Sequence, residues 1–127
     1  MKYSELVVWQ RAMDLVDAVY DATEAFPASE RFGLSNQLQR AAVSVPANIA
    51  EGYGRKSTNV FINHLSIASG SLVELETLLM IAQRRKYIPT KATNELLART
   101  NEIGKMLAGL IQSLRRKVQD RKSTRLN

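Results

Sequence analysis

The chain has 127 residues, 45% hydrophobic but only 6% aromatic, with 18 Lys plus Arg against 12 Asp plus Glu and no Cys. One domain fits that length, which excludes a multi-domain enzyme. Without Cys there is no disulfide, thiolate nucleophile or Cys-bound zinc, and one His cannot supply a His-rich metal site. Six Gly and three Pro are too few for a turn-rich β-sandwich, and the Ala, Leu, Ile, Gln, Glu and Arg content suits long helices, so an all-α domain is expected. The opening MKYSELVVWQ is interrupted by Glu5 and Gln10 and reads as neither signal peptide nor membrane span. A cytoplasmic, bacterial-type protein without a membrane partner is the expectation.

Taken in chain order, the apolar residues repeat with helical spacing four times. Leu6, Trp9, Met13, Val16, Tyr20 and Thr23 share one face of a first helix, capped by Ser4 and ended by Pro27. This places Trp9 and Tyr20 in the core rather than in contact with nucleobases. Leu34, Leu38, Ala41, Val45 and Ile49 mark a second helix that stops at Gly52 and Gly54, and Pro46 within it predicts a kink that strips the Ala42 carbonyl of its partner amide. The third stripe, Phe61, Leu65, Ala68, Leu72, Leu75, Leu79 and Ala82, is the most regular, with Ser57 as cap and Tyr87 to Pro89 as stop. Leu96, Thr100, Ile103, Leu107, Leu110 and Leu114 form the fourth, entered through Pro89 and Thr90. Four helices joined by short turns make an antiparallel up-down-up-down bundle about 30 to 40 Å long.

Helix 3 carries more apolar surface than one core requires. Val60, Ile67, Leu78 and Ile81 follow a neighbouring line, and Gly70, flanked by Ser69 and Ser71, allows another backbone to approach. A fully central helix would absorb this surplus; an oligomer interface formed by Val60, Ile67, Gly70, Leu78 and Ile81 is the preferred reading.

Charge is segregated along the chain. Residues 1–83 hold 6 Lys plus Arg against 9 Asp plus Glu, net −3, and residues 84–127 hold 12 against 3, net +9. The final DRKSTRLN lacks apolar periodicity and resembles a translated sequencing adapter. The expected division is therefore a bundle over residues 1–119, net +4, and a disordered, non-native read-through tail over 120–127. Antiparallel geometry collects Arg31, Arg84, Arg85, Lys86 and Lys91 at one end of the bundle. The other end gathers Lys2, Arg55, Lys56, Arg115, Arg116 and Lys117. Such ends suit phosphates through ion pairing and counterion release, although cations after helices 3 and 4 also complement negative helix termini.

Phe26-Pro27-x-x-Glu30, Phe32-Gly33-Leu34, Gln37-Leu38-x-Arg40-Ala41-Ala42, Ser44-Val45-x-x-Asn48-Ile49-Ala50-Glu51-Gly52 and Ala68-x-Gly70-Ser71 with Glu74 occur in that order. Together with Trp9 and Tyr20 they resemble the four-helix-bundle family of 23S rRNA intervening sequence proteins over about residues 3 to 118. The resemblance implies a homopentamer around a central channel and no enzymatic activity. It extends to the accessory variability determinant of diversity-generating retroelements, a basic pentamer that binds nucleic acid and a reverse transcriptase.

The individual motifs argue against chemistry. Glu51 and Glu74 fall about 24 Å apart along the bundle, too far for a carboxylate pair. Asn48, Glu51 and Arg55 read as a structural polar network at the end of helix 2, and Gly52-Tyr53-Gly54 as a turn requiring positive φ rather than a phosphate loop. Phe61, not Glu, precedes His64 by three, so the di-iron signature is absent and His64 reads as a half-buried neighbour of the core. Asp14, Asp17, Asp21 and Glu24 line helix 1, either as a solvated face or against a basic strip on another subunit.

No catalytic residue, metal or cofactor is expected. The reading is a homopentamer binding structured RNA or DNA weakly through Arg55, Lys56, Arg84, Arg85, Lys86, Lys91, Arg115, Arg116 and Lys117. The alternative is a protein-interaction adaptor, such as a reverse-transcriptase accessory subunit, with no direct nucleic-acid role.

Overall fold

The computed structural model describes residues 1–126, with side chains through Lys122. After a 3-10 turn at Tyr3–Glu5, four helices follow: α1 (Val7–Thr23), α2 (Leu34–Tyr53), α3 (Thr58–Arg84) and α4 (Thr90–Leu126). Among the described residues there is no strand. Each helix packs on its chain neighbours and α4 closes on α1, giving the antiparallel four-helix bundle.

The core line of α1 differs from the expected one. Val8, Ala12, Leu15 and Val19 are buried, while Met13 is 40% and Tyr20 44% exposed. Both lines are apolar and lie side by side on the helix; Leu6, Trp9 and Val16 of the expected line pack half-buried against the core, while Met13 and Tyr20 stay at its margin. Tyr20 is therefore a surface residue. Ser4 does not cap α1 either: it lies in the 3-10 turn, where its carbonyl accepts from Gln10 Nε2 at 3.0 Å.

The α1–α2 connection shows what its motif does. Phe26 is buried with its ring centroid 5.4 Å from that of Tyr87. Glu30 Oε1 accepts the Leu34 amide at the start of α2, and Oε2 accepts the Tyr87 hydroxyl at 3.0 Å, tying this turn to the α3–α4 turn. A Cβ on Gly33 would lie 2.8 Å from Glu30 Oε1, so glycine makes room for the carboxylate. α2 then runs without interruption through the buried Pro46.

Ser57 caps α3 as expected, its Oγ accepting from the Val60 amide at 3.3 Å. Leu65, Ala68, Leu72, Leu75, Leu79 and Ala82 are buried, and so is Leu78, at 7% exposure. Leu78 therefore belongs to the core and not to an outer interface, because α2 and α4 flank α3 and cover a wider arc than one stripe. By length and hydropathy alone α3 is apolar enough to cross a bilayer, and 44% of that stretch is buried within the bundle.

At its end, Lys86 adopts φ 64°, the Lys86 amide donates to Gln83 O and the Tyr87 amide to Ala82 O. This is a Schellman cap with lysine in the position that usually favours glycine. Buried Thr100 fastens α4 to α3 by donating to Glu76 Oε2 at 2.8 Å.

At 37 residues against 27, α4 outruns α3 by roughly 15 Å at 1.5 Å per residue. It continues as helix to Leu126, through most of the segment expected as a disordered tail; Asn127 lies outside the described residues. Extending an existing helix costs far less than nucleating one, and Arg, Lys and Leu are good helix formers.

Candidate nucleic-acid interface

The two turns joined through Glu30 and Tyr87 form one end of the bundle. Arg84, Arg85, Lys86 and Lys91 are all exposed there, beside Arg31 on the α1–α2 connection. The Schellman cap turns the chain back after Arg85, holding three consecutive cations on a short, fixed stretch of backbone. Carboxylates are present too, at Glu24 and Glu95, but none of the five cations makes an ion pair among the described residues.

At the opposite end Lys56, Arg115, Arg116 and Lys117 are exposed and likewise without an ion pair among the described residues. Arg55 differs: its guanidinium meets Glu51 at 3.0 Å, one helical turn away. The start of α3 and the far part of α4 enclose an open cleft of about 280 Å³ lined by Lys56, Ser57, Thr58, Asn59, Val118, Arg121 and Lys122. Two cations from the segment expected as tail thus join this end.

The expected polar network divides in two. Asn48 does not join Glu51 and Arg55; its Nδ2 donates to the Ser44 carbonyl at 2.9 Å and to Ser44 Oγ at 3.1 Å. Oδ1 then faces His64 Nδ1 at 3.0 Å and can only accept, so Nδ1 carries the proton in the neutral ring. Ser44 Oγ continues to Ser71 Oγ at 2.8 Å. The Ser71–Ser44–Asn48–His64 chain stitches α2 to α3 and uses the polar residues of the shared motif for packing.

The glycines of the α2–α3 turn do not require positive φ; no described glycine has it. Gly52 is needed for space instead. A Cβ there would sit 2.5 Å from His64 Cβ and 3.0 Å from Phe61 Cδ1.

Beside this seam an open groove of about 390 Å³ is lined by Asn36, Gln37, Arg40, Ala41, Ser44, Ser71 and Glu74. Glu51 and Glu74 are separate: one pairs with Arg55, the other faces the groove. Of the expected interface residues, Val60, Ile67, Gly70 and Ile81 are at least partly exposed, accompanied by Val73, Met80 and, on α2, Val43. Asp14, Asp17, Asp21 and Glu24 line α1 on its solvent side.

Among the described residues no three His, Cys, Asp or Glu side chains gather as a metal site would require. Phe32, the most exposed aromatic residue, carries no periodic signal in the sequence; its place between Glu30 and Gly33 in a turn is the feature that marks it.

Fold and site together describe a small antiparallel four-helix bundle whose ends are basic and whose sides are partly apolar. The sequence profile of the 23S rRNA-intervening sequence proteins matches residues 4–109, and the chain belongs to that family. Among solved structures it is similar to a protein of unknown function from the S23 ribosomal protein family of Bacteroides thetaiotaomicron, at 28% identity and a TM-score of 0.75, covering 83% of this chain and 98% of that one. No curated protein sequence matches it.

Proposed function

We propose that this protein is a non-enzymatic, cytoplasmic homo-oligomer, a pentameric ring by its family resemblance, that holds structured RNA or DNA weakly at its basic ends. The observation that carries the reading is the pair of exposed cation sets, Arg84, Arg85, Lys86 and Lys91 at one end and Lys56, Arg115, Arg116 and Lys117 at the other, none with an acidic partner among the described residues. Such cations on fixed backbone hold phosphates by releasing condensed counterions, largely without regard to sequence. Val60, Ile67, Gly70 and Ile81 supply the surface for self-association, and closing a ring would multiply each basic end into a collar.

The test replaces Arg84, Arg85, Lys86, Arg115, Arg116 and Lys117 by Ala, singly and together, and measures binding to a structured RNA at several salt concentrations. Affinity is expected to fall with each replacement, and the log–log salt slope to flatten by about 0.7 to 0.9 for every phosphate that is no longer neutralised. Unchanged binding across the series refutes the proposal. One stoichiometric protein co-purifying without nucleic acid would support the adaptor reading in its place.

A further inference from the structure

Phe32 stands 86% exposed on the α1–α2 connection, where an ordinary core-forming phenylalanine would be covered. Its ring is not on a loose loop. The preceding Glu30 is held by the Leu34 amide and the Tyr87 hydroxyl, and the following Gly33 is kept small by the Glu30 carboxylate. Arg31 places its guanidinium carbon 5.4 Å from the ring centroid, over one face. The ring is thus held out in water on a pinned stretch of backbone, with a cation on one side and Arg84 to Lys86 at the same end of the bundle.

We propose that Phe32 is a stacking platform for an unpaired nucleobase, with Arg31 and the neighbouring cations holding the flanking phosphates, so that this end prefers the single-stranded segments of a structured nucleic acid. The inference rests on the nucleic-acid reading above and narrows its ligand class. Every base offers a π face, and stacking on an aromatic side chain needs that face free, which a base within a duplex does not have. The occupant is argued from charge: the cations around the ring complement a polyanion, and the apolar surface suited to self-association lies on the helix sides at Ile67 and Val73, away from this turn.

The experiment compares the full chain with Phe32→Ala and Phe32→Trp, using a labelled single-stranded RNA about 20 nucleotides long, enough to span a typical single-strand site, and a duplex of equal length at fixed salt, with assembly mass measured in parallel. Phe32→Ala is expected to weaken single-strand binding about 5- to 100-fold, to leave duplex binding within about twofold, and to keep the salt slope, because no charge is removed. Phe32→Trp restores binding. Equal weakening on both probes, no weakening on either, or a changed assembly mass with unchanged affinity overturns the stacking site while leaving phosphate binding standing. If the unaltered protein binds neither probe, the nucleic-acid reading and this one fall together.

Discussion

Gly52 shows how one missing methyl sets the distance between two helices. The nearest atoms to a Cβ at this position are His64 Cβ and Phe61 Cδ1, at 2.5 and 3.0 Å. His64 Cβ is fixed to the α3 backbone, and its ring is held by Asn48, so neither helix can yield by a rotamer change alone. Gly52→Ala is therefore expected to push α2 from α3 and to destabilise the fold by about 1 to 3 kcal/mol, the range for overpacking a tight core. Thermal denaturation followed by circular dichroism reads this directly. Gly54→Ala is the control: its Cβ would meet only the Glu51 and Ala50 carbonyl oxygens, at 3.6 and 3.7 Å, so its melting temperature should stay close to that of the unaltered protein. Equal melting temperatures for Gly52→Ala and the unaltered protein would mean the helices have slack.

At the scale of the element, α3 separates two kinds of apolar residue that the sequence places on neighbouring lines. Leu78 is covered and Ile67 is 45% exposed. Leu78→Ala should remove about 2 to 5 kcal/mol of stability through reduced burial and a residual cavity, whereas Ile67→Lys should leave helicity intact and, if the proposed assembly forms through this face, lower its mass. Sedimentation together with denaturant unfolding tests both; an Ile67→Lys assembly of unchanged mass would exclude that position from the contact between copies. The four helices, the Ser57 cap and the core of α3 are legible in the sequence because a 3.6-residue period and a side-chain cap are local signals. The core line of α1 is not, since two adjacent lines are both apolar and only tertiary packing chooses between them. Nor is the purpose of Gly52: the same residue type serves a positive φ and a close helix approach, and only the neighbour across the gap tells which. The basic ends are legible from chain order plus antiparallel topology. Phe32 is not, because exposure belongs to the fold and periodicity does not report it.

For the whole molecule, the proposed assembly and the proposed ligand binding rest on opposite physics, which makes them separable by salt. Contacts between copies would be made by Val60, Ile67, Val73 and Ile81, apolar side chains left 39 to 62% exposed on the single subunit. Burial of such surface strengthens slightly in sulfate and is little affected by screening. Contacts with nucleic acid would be made by exposed lysine and arginine, whose attraction to phosphates falls steeply as salt rises. Raising sodium chloride from about 50 to about 500 mM, a span that shortens the screening length severalfold, should therefore strip nucleic acid from the protein, read as falling ultraviolet absorbance by nucleobases relative to protein, while light scattering reports an unchanged protein mass. A mass that drops together with the bound nucleic acid would mean that the polyanion, and not the apolar faces, gathers the subunits. A particle that remains a single subunit at every salt concentration would leave α3's outer face without the role assigned to it.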